Sequence, residues 1–300
     1  MEIFLQQFVN GLTVGSLYAL VALGYTMVYG VMKLINFAHG DLVVFSAFIG
    51  LSIYISMFGV GSSSLVAVIT IFVLTAVIVA FVGVLIERLA YRPLREAPRL
   101  SAVVSALGAG LVIQNSIMLL WGPNMKIFPS ELFPQDVWNI NGVVFTFTQL
   151  IILGLSSILM VGLYIFINKT KVGTAIRAVA IDQDAAKLMG INVNQIILII
   201  FVIGSILGAV AGLFIGVYYR GVTFNMGWMY GLNAFIAAII GGIGSIPGAM
   251  IGGLLLGLFN AMISGYISSA WAETFTFTLL IVILIFRPRG ILGEVVAEKV

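Results

Sequence analysis

The sequence predicts an all-α polytopic membrane protein with about nine transmembrane segments in two inverted-repeat-like halves. Three observations carry this. Of 300 residues, 61% are hydrophobic and 8% charged, against ~25% charged in soluble domains. So few polar groups cannot cover a water-facing surface, and the mean hydropathy of +1.19 agrees. The apolar residues form continuous runs, such as Ile69 to Ile86 and Ile196 to Ile203, not the alternation of a transmembrane β-barrel. The chain also holds 34 glycines, a residue that membrane helices use for close packing and for breaks. It has no cysteine, which excludes disulfide scaffolds, thiol catalysis and Cys-ligated metals. Met1-Glu2-Ile3 offers no basic n-region, so the first apolar segment is expected to stay in the mature protein.

A hydrocarbon core of ~30 Å needs about 20 helical residues. Apolar runs between polar breaks give nine segments: Leu5–Tyr29, Leu42–Met57, Leu65–Ile86, Ala102–Leu120, Gln149–Ile167, Ile196–Tyr219, Trp228–Ile243, Ala249–Ile267 and Ala272–Phe286. Alternate loops differ in charge. Lys33, Arg88, Arg92, Arg95, Arg99, Lys169, Lys171, Arg177, Lys187, Arg287, Arg289 and Lys299 fall on one side, and only Lys126 and Arg220 on the other. The basic side is expected to be cytoplasmic, with the N-terminus outside and the C-terminus inside. Trp121, Trp138, Trp228 and Trp271 fall in or beside loops of the outer side, where interfacial indoles are at home.

Three breaks interrupt this pattern. Asn36-Phe37-Ala38-His39-Gly40-Asp41 is polar, crowded by apolar sequence, and contains the single His. It is either a short cytoplasmic turn or a broken helix whose polar groups line a path; non-helical backbone at depth must be buried or line a wet cavity. Gly221–Trp228 is a second, Gly-bearing break on the opposite side, the arrangement expected of an inverted repeat. Gly241–Gly248 holds four Gly and one Pro in eight residues, which reads as a tight hairpin or re-entrant tip. Asn10, Thr13, Gln114, Asn115, Asn233 and Asn260 lie within apolar segments; each is either interhelical glue or part of a pathway. Asn36, His39, Asp41, Gln114, Asn115 and Asn225 are the candidate path residues. One His without Cys makes no persuasive metal site.

The longest segment on the basic side runs from Thr170 to Asn194. Thr174–Met189 reads as one helix, with an N-cap at Gly173-Thr174 and a glycine C-cap at Gly190 followed by Ile191. Ile181, Ala185, Leu188 and Asn192 share a stripe at helical spacing, and Asp184 can pair with Lys187. Such a helix either lies on lipid or docks into a partner; Asp182, Asp184 and the small Ala residues favour the partner.

No Gly-x-x-x-x-Gly-Lys-Ser/Thr phosphate loop, His-Glu-x-x-His or Gly-x-Ser-x-Gly pattern occurs. Asp41 and Glu273 are the only acids near apolar spans away from the basic clusters, and they fall at opposite span ends. The chain thus has neither an ATP site nor an ion relay of its own, and energy for transport is expected from a partner.

At this point the residues resemble a known family: the LivH-type permease subunit of bacterial ABC importers for branched-chain amino acids. The resemblance covers nearly the whole chain. It rests on Asn10-Gly11-Leu12, Gly15-Ser16-Leu17-Tyr18-Ala19-Leu20, the Asn36–Asp41 stretch, the 173–190 segment and Gly241–Gly253. Asp184-Ala185-Ala186-x-x-x-Gly190 is similar to the family's coupling-loop pattern but has Asp for Glu and no downstream Pro. The resemblance implies a single permease domain over 1–300: a first half 1–168, a coupling segment 169–194, a second half 195–287 and a tail 288–300. It implies docking of an ATPase on Arg177, Asp182, Asp184, Ala185, Ala186, Leu188 and Gly190. The implied partners are a homologous permease, two cytoplasmic ATPase subunits that hold the ATP and Mg, and a periplasmic binding protein, in a bacterial inner membrane. The chain itself would be no enzyme, bind no cofactor and touch no nucleic acid. A urea or short-amide permease, and a self-sufficient channel or ion-coupled carrier, stand as alternatives.

Overall fold

No proline precedes Pro93, and nothing interrupts the first apolar stretch, which forms one 31-residue helix. At ~1.5 Å per residue it is about 46 Å long. The computed structural model describes residues 1–59, 64–95, 97–129 and 132–293. In chain order the helices are α1 (Glu2–Met32), α2 (His39–Met57), α3 (Leu65–Ile86), α4 (Arg99–Trp121), α5 (Phe147–Lys169), α6 (Lys171–Ile181), α7 (Gln183–Leu188), α8 (Val193–Tyr219), α9 (Met226–Gly241), α10 (Ile246–Tyr266) and α11 (Ala272–Phe286). Eight described helices are long and apolar enough to cross a membrane. The chain is an all-α polytopic membrane protein.

Each expected segment falls on a helix, with one correction. The seventh, Trp228–Ile243, is α9, which has 16 residues and reaches only about 24 Å. Its start is displaced inward: Gly231 packs beside Gly40 and the Tyr25 hydroxyl, well along α1. Trp228, expected at an interface, therefore sits on the first turn of a helix that begins within the depth of the bundle.

The core is organised around α1. It runs antiparallel to α10, with Gly11 against Leu258, Gly15 against Leu254, Gly253 against Ala19 and Gly257 against Gly15 and Gly11. Side chains are missing where the two backbones meet, so dispersion contact replaces the hydrophobic drive that lipid cannot supply. α8 lies on another face of α1, where Gly204 meets Gly24. α3 and α5, by contrast, turn long apolar side chains outward, among them Val73, Val77, Phe81, Ile158 and Ile165.

The two ends of the bundle differ. At one end, Glu2 packs against Gly142. Here Val137–Ile140 (β2) pairs antiparallel with Val143–Thr146 (β3). Positive φ at Asn141 and Gly142 gives the hairpin the turn that an Asn-Gly pair favours. Lys126–Ile127 (β1) pairs with Gly221–Val222 (β4) at this end too. At the other end lie Lys33, the Glu87–Arg95 ion pair, α6, α7 and the tail. Arg95 also donates to Asn194, and the tail binds α9 through Ile291 N–H to Ile240 O (2.9 Å) and Leu292 N–H to Gly241 O (2.8 Å). The basic segments are thus gathered at one end in space as they are in sequence. Lys299 and the rest of the tail beyond 293 lie outside the described residues.

Candidate functional site: the central break, the α6–α7 elbow and a polar cavity

After α1 the chain reverses at Lys33, whose φ of 54° is left-handed. It then runs back alongside α1, so that His39 at the start of α2 lies against Gly24. The Asn36–Asp41 stretch turns back within the bundle, so that α2 begins inside it. α9 begins at the same place. A Cβ at Gly40 would strike the Gly227 carbonyl and the Gly231 backbone. Two helix N-termini thus meet at their backbones and α2 and α9 diverge from there. Such a meeting concentrates two positive helix ends. Asp41 in the first turn of α2 fills it, its carboxylate lying against Gly227 on one side and Gly110 of α4 on the other.

The candidate path residues do not all face one space. Asn36 is buried, and its Oδ1 accepts from the Tyr91 hydroxyl at 3.3 Å. His39 is 2% exposed, wedged between Gly24 and Gly208 with the Tyr25 ring edge-on at 5.1 Å. Both are enclosed by this chain's own helices. Gln114 is half-buried, while Asn115 and Asn225 are on the outside of the chain. The Asn115 amide donates to Leu111 O (2.7 Å) and Asn225 Oδ1 accepts from the Thr223 hydroxyl (2.8 Å).

The segment expected as one helix is two. Thr170, not Gly173-Thr174, caps α6, accepting from Gly173 N–H at 3.0 Å. Asp182 breaks the helix: its carboxylate accepts from the N–H groups of Asp184 and Ala185, both at 3.0 Å, and starts α7. An Asp that can cap competes with helix continuation. Gly190 does end the segment, with φ 82° and with Gly190 N–H to Lys187 O (3.0 Å) and Ile191 N–H to Ala186 O (3.0 Å), a Schellman closure. Asp184 pairs with Lys187 at 2.9 Å, and Arg177 donates to the Ile167 carbonyl at the end of α5.

Which side is covered also differs from expectation. Ala186, expected on the docking face, is 4% exposed and packed on this chain's own core. The stripe Ile181, Ala185, Leu188, Asn192 is open instead: Ile181 is 88% and Leu188 89% exposed, with Met189 beside them at 82%.

The sequence pattern does not bring together the residues around a further cavity. It has a volume of about 530 Å³ and lies between α1, the end of α8, α9, α10 and α11. Tyr18, Tyr219, Tyr230, Asn233, Asn260 and Glu273 line it. Asn260 accepts from the Thr276 hydroxyl at 2.6 Å, and Asn10 at its rim accepts from Gln149 at 3.1 Å. The intramembrane amides were the available signal; nothing in their spacing ties residue 18 to 273.

A bundle of close-packed helices, with two helix N-termini meeting inside it and a capped elbow at one end, defines a polytopic membrane protein. The chain belongs to the family described as branched-chain amino acid transport system / permease component, which matches residues 7–284. It is 43% identical to the high-affinity branched-chain amino acid transport system permease protein BraD of Pseudomonas aeruginosa, over 99% of this chain and 98% of that one. It is 42% identical to the corresponding LivH protein of Escherichia coli, with the same coverage. A probable branched-chain amino acid transport permease LivH of Methanocaldococcus jannaschii is 28% identical over 93% of this chain.

Proposed function

We propose that the chain is one of two homologous permease subunits of an ABC importer for Leu, Ile and Val. The observation that carries this is the end-to-end similarity to branched-chain permeases, with identities of 43% and 42%. The geometry supports the division of labour. Two cytoplasmic ATPases supply the energy, and a periplasmic binding protein delivers the amino acid to the end carrying β2 and β3. The basic end is cytoplasmic, in keeping with its excess of Lys and Arg. The first half 1–168 and the second half 195–287 contribute α2 and α9 as counterpart helices whose N-termini meet.

The α6–α7 elbow is the ATPase contact. Ile181, Asp184, Ala185 and Leu188 form the docking face, while Asp182, Gly190 and Arg177 hold its shape and Ala186 anchors it to the permease. Access alternates as the elbow moves the helices it is fastened to. Asp41, Gln114, Asn115 and Asn225 remain candidates for the wall of a path shared with the second permease; Asn36 and His39 act there through packing.

Reconstitution tests the reading. Liposomes holding this chain, its sister permease and two ATPases should take up labelled leucine only with ATP inside and loaded binding protein outside. Uptake by this chain alone on an ion gradient would replace the reading with a carrier, and ATP-driven uptake of urea or acetamide but not leucine would replace the substrate.

A further inference from the structure

We propose that the 530 Å³ cavity between α1, α8, α9, α10 and α11 is a binding chamber for an amino-acid zwitterion, with Glu273 receiving its ammonium group. The inference rests on the permease reading above and names residues of this chain that would hold the substrate. The size is right: small-molecule sites run ~300–1,000 Å³.

The lining chemistry is selective. Glu273 makes no ion pair among the described residues, and no Lys or Arg lines the cavity. The nearest-placed cation in sequence, Arg220, donates to Gln135 at 2.8 Å in a neighbouring recess. Glu273 stands exposed in the first turn of α11, and an acid without a counter-charge attracts a cation. Tyr18, Tyr219 and Tyr230 stand around the same space, and phenol rings favour an ammonium over an anion.

The lining also supplies a donor. Asn233 on α9 has no side-chain hydrogen bond among the described residues, so its amide is free for the carboxylate. Val14 and Met229 give an apolar surface for the side chain. The cavity reaches from Gln7 near the start of α1 to Tyr18 at its middle. A ligand there lies between the binding-protein end and the meeting of α2 and α9.

The test uses the assembled importer and the absence of cysteine. Asn233→Cys is treated with cationic and anionic methanethiosulfonates of similar size. The cationic reagent should react about tenfold faster, as in a cleft lined by one sign of charge; excess leucine should slow it, and adding E273Q should abolish the preference. E273Q in the cysteine-free chain should lower leucine uptake about 10- to 100-fold, the worth of one charged hydrogen bond, while assembly and ATP hydrolysis stimulated by binding protein persist. Equal rates for the two reagents with no leucine protection, or unchanged uptake by E273Q, overturns the proposal. A wild-type assembly that takes up no leucine overturns the permease reading before any variant is made, so the two failures are separate.

Discussion

The Gln183 side-chain amide donates to the backbone carbonyl of Val31 at 3.0 Å, across 152 residues of sequence. Val31 is in the last turn of α1, where carbonyls have no intrahelical partner. Gln183 is the first residue of α7. One hydrogen bond thus joins the elbow to the helix around which the bundle is packed.

Gln183→Leu removes that joint without adding bulk. The bond is worth about 1 kcal/mol net, so the equilibrium constant for seating α7 should fall roughly fivefold. Transport coupled to ATP hydrolysis should fall by that order, with the amount of permease in the membrane unchanged. Uptake per ATP hydrolysed is the measurement; an unchanged ratio would show that the joint carries no motion.

Ala186 and Leu188 are two positions apart and should behave oppositely. Ala186 is buried in this chain, so Ala186→Trp overpacks the permease at a cost of about 1–3 kcal/mol. It should lower the thermal midpoint of the purified chain alone. Leu188 touches little of its own chain; Leu188→Asp should leave that midpoint in place and weaken co-purification of the ATPase. A thermal loss for Leu188→Asp equal to that for Ala186→Trp would mean the exposed face is not a docking face.

A third expectation concerns Gly24, where any Cβ would fall within the His39 ring. Gly24→Ala forces His39 off its position between α1 and α8 and should destabilise the chain by about 1–3 kcal/mol. Gly24→Ala with His39→Ala should recover part of that loss, because the clash is pairwise. Thermal unfolding of the four variants in detergent measures the coupling. Additive losses would separate Gly24 from His39.

Much of this architecture is legible in sequence because span length, glycine placement and Lys/Arg placement are local. Gly190 is an example: a glycine after a helix and before Ile191 closes as a Schellman motif because it takes φ of 82° without the steric cost of a Cβ. The break at Asp182 is equally local, since Asp caps better than it continues, but the Ala-rich flanks favour one unbroken helix. The Asn141-Gly142 pair is a local hairpin signal of the same kind. Burial is not local. That Ala186 faces inward and Leu188 outward depends on where the elbow sits against α1 and α8. The depth of α9 likewise depends on Gly231 reaching Gly40, and the cavity at Glu273 on five elements whose lining residues run from Gln7 to Thr276.

The last prediction concerns which end of the bundle faces the cytoplasm. The two ends are unlike in charge: Lys33, Arg88, Arg92, Arg95, Lys169, Lys171, Arg177, Lys187, Arg287 and Arg289 are at or beside one, Lys126 and Arg220 beside the other. Each basic residue near an anionic cytoplasmic leaflet contributes about 1 kcal/mol, so an excess of this size is expected to set the basic end in the cytoplasm. The structure adds that these residues belong to one surface, since Arg95 reaches Asn194 and the tail lies on the end of α9. The hairpin of β2 and β3 should then face the periplasm, and α6–α7 the cytoplasm. Single cysteines at Asn139 and Asp184, both exposed, report on the two ends in a chain with no cysteine of its own. A membrane-impermeant maleimide should label position 139 in cells whose inner membrane is intact, and position 184 only after that membrane is opened. Labelling at 184 and protection at 139 in intact cells would invert the molecule, placing the elbow out of reach of any cytoplasmic ATPase.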